Sequence, residues 1–191
     1  MSKKTENAEF AKEWCIKVES SEKWMDYINR SVSSAVVRKG TLIEEEERMY
    51  VKYKVDTEDT VIKITTDKTH RTLIDLVNEG VSDSIGVLNF ASYYKPGGGF
   101  TKGSFAQEES LCAVSGLYQI LKRLPVYIQR AKNKCVSSCY NDEIIYNTSV
   151  PFTLDMGDNK YPRTIDVVTC APPNCNRIVM ADHDEYETCL K

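Results

Sequence analysis

Basic residues do not dominate this chain of 191 residues: 25 lysines and arginines stand against 28 acids, for a net charge of −3 and an isoelectric point near 5.5. That balance excludes a nonspecific nucleic-acid binder, which would carry a basic surface. No apolar run approaches the ~20 residues that a membrane-spanning helix requires, and the opening MSKKTENAEFAKEW has no apolar signal core. A cytoplasmic protein without membrane contact is expected. Histidine is scarce, and neither His70 nor His183 has a nearby Ser or Cys arrangement that would mark a triad. Seven cysteines cannot all pair within the chain, and without a secretion signal they read as free thiols. Cys135-x3-Cys139 and Cys170-x4-Cys175 miss the C-x2-C spacing of zinc ribbons, so no metal is expected. Internal repeats and low-complexity segments are absent too.

What is present is an ordinary globular composition, 41% hydrophobic and 28% charged, in a length that suits one domain. Phe10, Trp14, Val18, Trp24 and Ile28 recur at helical spacings, so residues 1 to about 35 read as helix. The acidic run Glu44 to Glu47 reads as a solvated face or loop. Met49 to Val55 alternates apolar residues with lysines, the period of a half-exposed strand, and Val61 to Ile64 reads as its hairpin partner. Asp67 is expected to cap a helix over Arg71 to Glu79 that ends at Gly80. The nearly continuous apolar run from Ile85 to Ala91 suits a strand buried on both faces. Leu111, Val114, Leu117, Tyr118, Leu121 and Leu124 form one helical stripe ended by Pro125, with a further helical segment over Val126 to Lys134. Glu143 to Tyr146 and Ile165 to Thr169 read as strands. The expected class is α/β, a mixed sheet flanked by helices, with residues 1–48 as an N-terminal helical extension of a domain over 49–191. After Pro173 the residues turn polar. A sheet left there would expose an edge strand and one face, which leads us to expect a domain cut short at its C-terminus.

The chemistry concentrates between Ile85 and Leu124. Gly97, Gly98 and Gly99 free the backbone for positive φ and close approach, and successive bare N–H groups suit an anion, phosphate above all. A flexible turn is the plainer reading of the same three residues. Two familiar nucleotide motifs fail. Gly98 and Gly103 have the P-loop separation, but Ser104 stands where its lysine must be. A dinucleotide fingerprint begun at Gly97 finds Lys102 at its third glycine. Glu108 and Glu109 then sit where loop becomes helix. Adjacent acids point in different directions, so they do not form the opposed pair of many glycosidases. One would act on the reacting centre while the other positions the substrate; alternatively, both merely favour a helix N-terminus.

Asn89-Phe-Ala91, Pro96-Gly-Gly-Gly-Phe100 and Gln107-Glu-Glu109-Ser-Leu-Cys112 together resemble the microbial-type poly(ADP-ribose) glycohydrolases, macrodomain enzymes with a GGG-x6–8-QEE signature. Seven residues, Phe100 to Ala106, separate the two halves here. Ser115 to Tyr118, Ser149 to Phe152 and Val167 to Asn174 are similar to the family in the same order; Ala113 departs from it, since an arginine often stands there. The resemblance implies hydrolysis of the ribose–ribose bond of poly(ADP-ribose) with no cofactor. It implies Glu109 as general acid, Glu108 on the ribose hydroxyls, Gln107 in support and Asn89 on the ribose beside the cut. Gly97, Gly98 and Gly99 would lie against the diphosphate. Phe100 and Phe105 bracket the loop, near the ribose or in the core; Tyr93 and Tyr94 line the cleft or cover it from outside. The implied partners are poly(ADP-ribose) or an ADP-ribosylated protein, not nucleic acid. An ADP-ribose-binding module or inactive remnant, and a hydrolase of another ADP-ribosyl linkage, are the alternatives.

Overall fold

The computed structural model describes residues 2–39, 62–81, 85–133, 143–153 and 162–172. Two helices open the chain, α1 (Lys3–Glu19) and α2 (Glu22–Ser34), capped by Ser2 and Ser21, whose hydroxyls accept the Thr5 and Trp24 N–H groups. Trp14, Val18, Trp24 and Ile28 are buried as their spacing predicts, whereas Phe10 is 44% exposed. These side chains join the same hydrophobic core as Leu117, Ile145, Phe152 and Val167. Within the expected extension, Val36–Lys39 forms a strand, β1. The boundary at residue 48, the acidic run and the strand over 49–55 lie outside the described residues.

Four strands make one mixed sheet in the order β1-β3-β4-β2, where β2 is Gly86–Phe90, β3 Glu143–Phe152 and β4 Arg163–Cys170. The pairs β1·β3 and β3·β4 are antiparallel, while β2 runs parallel to β4 with Asn89 opposite Thr169. The mixed α/β architecture is as expected. Two local expectations are not met. Ile62 and Ile64 are exposed and form no strand among the described residues. And β2 alternates: Val87 and Asn89 are buried, but Leu88 and Phe90 are exposed. Among the described residues β2 pairs only with β4, and the face that carries Leu88 and Phe90 is exposed.

Between the strands, α3 (Thr69–Asn78) begins after Lys68, not after an Asp67 cap. It ends as predicted at Gly80, whose φ of +81° lets the Gly80 and Val81 N–H groups reach the Val77 and Leu76 carbonyls. The single helix expected over 111–124 is instead two short ones, α4 (Gln107–Cys112) and α5 (Leu117–Leu121). The break has a tertiary cause. Gly116 N–H donates to the Pro151 carbonyl and Thr153 N–H to that of Val114, while the Trp14 indole donates to the Ser115 carbonyl. A continuous helix would have consumed those groups internally. Pro125 opens the next helix, α6 (Pro125–Lys132), at the position where a missing N–H costs nothing.

Candidate functional site

β2 carries Asn89 to the end of the sheet, and the chain then loops through Gly97 to Gly99 before α4 brings Glu108 and Glu109 underneath. Both carboxylates are buried, at 3% and 7% exposure. Glu108 accepts the Ser92 N–H at 2.8 Å and the Gly97 N–H at 3.2 Å. Glu109 accepts the Gly99 N–H at 2.8 Å and the Ala106 N–H at 3.0 Å. The last bond is half a capping box: the third residue of α4 reaches back to the residue before the helix, and the Ala106 methyl cannot reciprocate.

This arrangement corrects two expectations. The glycine N–H groups do not stand bare for a phosphate. Two hold carboxylates, and that of Gly98 donates to the Lys95 carbonyl. The loop's anions are the protein's own glutamates. Nor do the adjacent acids diverge. A Cβ placed on Gly98 would lie 2.5 Å from Glu109 Oε1 and 3.0 Å from Glu108 Oε2, so both carboxylates converge beneath one residue. Gly97 and Gly98 have φ of +67° and +59°, a turn that brings the Gly97 and Gly99 N–H groups onto the two side chains.

Burial pushes the Glu108 carboxyl up to about 7; the charge of Glu109 adds to the rise, while bonds from Ser92, Asn89 and Gly97 oppose it. Asn89, fully buried, donates from Nδ2 to Thr169 Oγ1 at 3.3 Å. Its Oδ1 has no partner among the described residues. Gln107 ties α4 to the sheet: its Oε1 accepts the Phe90 N–H at 3.0 Å and its Nε2 donates to the Leu88 carbonyl at 2.7 Å, so a side-chain amide takes the place of a neighbouring strand on the β2 edge. Phe100 is buried against the Tyr118 ring, 5.7 Å between centroids, while Phe105 is 51% exposed. Tyr93 is buried under the Arg130 guanidinium, 4.3 Å from its ring centroid.

Sequence reasoning missed Ser92, Ala106 and Arg130. The first two act through backbone N–H groups, which any residue but proline supplies, so no letter marks them. Arg130 donates to the Glu143 carboxylate at 3.2 Å and to the Tyr93 carbonyl at 3.3 Å, propping the loop from behind. Its place in a helix of mixed polarity gave no signal. Burial also raises the Cys112 thiol well above its ordinary value and lowers His70. Cys15, Cys112 and Cys170 are free, and no group of three metal-ligating side chains occurs among the described residues. Cys135, Cys139, Cys175 and His183 lie outside them. No helix among the described residues is long and apolar enough to cross a membrane.

The model of the microbial-type PARG catalytic domain matches residues 17–155. No curated protein matches the chain. Among solved structures, the poly(ADP-ribose) glycohydrolase of Thermomonospora curvata bound to the inhibitor ADP-HPD is similar at 25% identity and a TM-score of 0.71, over 97% of this chain and 70% of that one. The poly(ADP-ribose) glycohydrolase of Deinococcus radiodurans in complex with ADP-ribose is similar at 25% identity and a TM-score of 0.68, over 85% of this chain and 65% of that one.

Proposed function

We infer the chemistry of this site from one premise: the chain belongs to the microbial-type poly(ADP-ribose) glycohydrolase (PARG) family, whose catalytic domain spans most of it. The reaction is hydrolysis of the ribose–ribose O-glycosidic bond of poly(ADP-ribose), releasing ADP-ribose. The observation that carries the assignment of roles is the pair of carboxylates locked under the glycine loop, each by two backbone N–H groups.

In our reading Glu109 is the general acid. Each of its oxygens spends one lone pair on a backbone donor, Gly99 or Ala106, which fixes the plane of the carboxyl and leaves the second lone pair of each oxygen for a proton. The protonated carboxyl gives that proton to the bridging oxygen as the C1–O bond breaks, and the bonding pair leaves with the departing ribose. An oxocarbenium-like centre remains on the retained ribose. Water adds to it, and the Glu109 carboxylate takes the water's proton, which restores the acid. Glu108 orients the ribose through its hydroxyls; with its carboxyl near 7 it accepts or donates a hydrogen bond at neutral pH. The unpartnered Oδ1 of Asn89 is an acceptor for another ribose hydroxyl. Gln107 holds the two glutamates in register with β2, and Phe100 anchors the loop to the core. The glycines contribute close main-chain approach, since a side chain at Gly98 would occupy the space over both acids.

The partner is the polymer, or a protein that carries it, with no cofactor and no nucleic acid. A cytoplasmic setting suits the three free thiols among the described residues. The test is Glu109→Gln, which keeps the shape and one acceptor but no transferable proton. ADP-ribose release from the polymer should fall by about 10²–10⁴-fold. Turnover equal to that of the unmodified chain would sink the assignment.

A further inference from the structure

The loop between the glycines and α4 also borders a cleft of about 280 Å³ lined by Lys68, Thr69, Phe105, Ala106, Gln107 and Ser110. Phe105 on its lining is half-exposed, with the Lys68 ammonium 4.9 Å from the ring centroid. Ala106 is the shared residue. Its N–H holds Glu109 Oε2 at 3.0 Å and the same residue lines the cleft, so a single residue links the cleft to the acid.

We propose that this cleft is a subsite for the departing ADP-ribose unit, with Phe105 as a platform for its adenine and Lys68 as a contact for its diphosphate. The proposal rests on the glycohydrolase reading above. The oxygen that Glu109 protonates belongs to the next unit of the polymer, so the leaving group carries a purine and two phosphates close to the cut. An aromatic face that offers stacking to a base, with one flexible ammonium over it, matches that pair of groups. The match is local: the chain as a whole has a net charge of −3, so attraction for a polyanion has to come from placed cations. The volume is at the small end of ligand clefts and suits a base rather than a whole ADP-ribose. The ammonium now over the ring is free to swing to phosphate when a base takes its place. Ser110 Oγ donates to the Gln107 carbonyl at 2.7 Å and so keeps its lone pairs for a ligand donor. Asp67, also on the lining, suits a ribose hydroxyl and not a phosphate.

The test is binding in the Glu109→Gln background, where turnover does not interfere, with ADP-ribose and its dimer as probes. The dimer should bind about five- to hundredfold more tightly than the monomer, the range for stacking one base. Phe105→Ala should erase most of that advantage, Phe105→Tyr should keep it, and Lys68→Gln should reduce both the advantage and its salt dependence. Equal affinities for monomer and dimer, or an advantage that survives both Phe105→Ala and Lys68→Gln, would overturn the subsite and leave the glycohydrolase reading intact. Failure to bind either probe would overturn both. In the catalytic chain, Phe105→Ala should lower the ratio of kcat/KM on polymer to kcat/KM on an ADP-ribosyl substrate with a small leaving group by a similar factor.

Discussion

Replacing Gly98 by alanine tests whether the loop holds the carboxylates where the chemistry needs them. The cost has two parts, and the structure supplies a control for one of them. Gly80 and Gly98 both have left-handed backbones, φ +81° and +59°, but a Cβ on Gly80 meets nothing within 4 Å. Gly80→Ala therefore reads the backbone penalty alone, roughly 1–2 kcal/mol, or about 2–8 °C in Tm for a chain of this size. At Gly98 the same methyl would lie 2.5 Å from Glu109 Oε1, where ordinary contact begins at 3.4 Å. The oxygen must retreat by about 0.9 Å, which takes it off the Gly99 N–H, a hydrogen bond of about 0.5–1.5 kcal/mol. A displacement near 1 Å at a reacting group costs on the order of 10²-fold in rate. Gly98→Ala should thus melt several degrees below Gly80→Ala and lose about 10²-fold in polymer hydrolysis, with Gly80→Ala at full activity. Calorimetric melting and an ADP-ribose release assay on the two variants decide it. If Gly98→Ala melts and turns over like Gly80→Ala, the carboxylates do not depend on this loop and the reasoning fails.

Glu108 sets a pH dependence of stability. Burial holds its carboxyl near 7 in the folded chain against 4.5 when unperturbed, so the folded state keeps the extra proton between those values and stability falls as pH rises from about 4.5 to about 7. The loss is on the order of 3 kcal/mol, and Glu108→Gln, which does not titrate, should flatten the Tm–pH profile across that window; an unchanged slope would assign it to other groups. Arg130 is 5% exposed, pairs with Glu143 and the Tyr93 carbonyl, and lies against two tyrosine rings. Arg130→Met should cost about 3–5 kcal/mol by stranding those partners. Arg130→Lys should recover only part of it, because an ammonium lacks the planar fork; a lysine variant that melts like the unmodified chain would show that charge alone suffices there.

The elements most legible in the letters were those whose pattern is local. The Trp14–Val18 and Trp24–Ile28 spacings marked the first 35 residues as helical, and Gly80 marked a helix end, because one face or one φ decides such features. The family signature rests on local spacing in the same way, and the fold and family it implied are those found. The stretch after the QEE signature was misread for the opposite reason. Its apolar stripe from Leu111 to Leu124 is compatible with one helix, and only the strand end at Pro151 and the Trp14 indole, far off in sequence, claim the backbone groups that break it. The strand over Ile85 to Ala91 was found but its burial on both faces was not, since its apolar letters do not reveal that Leu88 and Phe90 stand exposed.

Glycine triplet and acid pair could be read from the sequence; the relation between them could not. The letters alone show a flexible, donor-rich loop and two carboxylates within a dozen residues of each other, and point to the family that uses that spacing. Which groups those donors hold depends on the folded backbone. Residue types fix what each group can do, but a backbone N–H points where φ and ψ send it, and two positive φ values turn those of Gly97 and Gly99 inward onto Glu108 and Glu109.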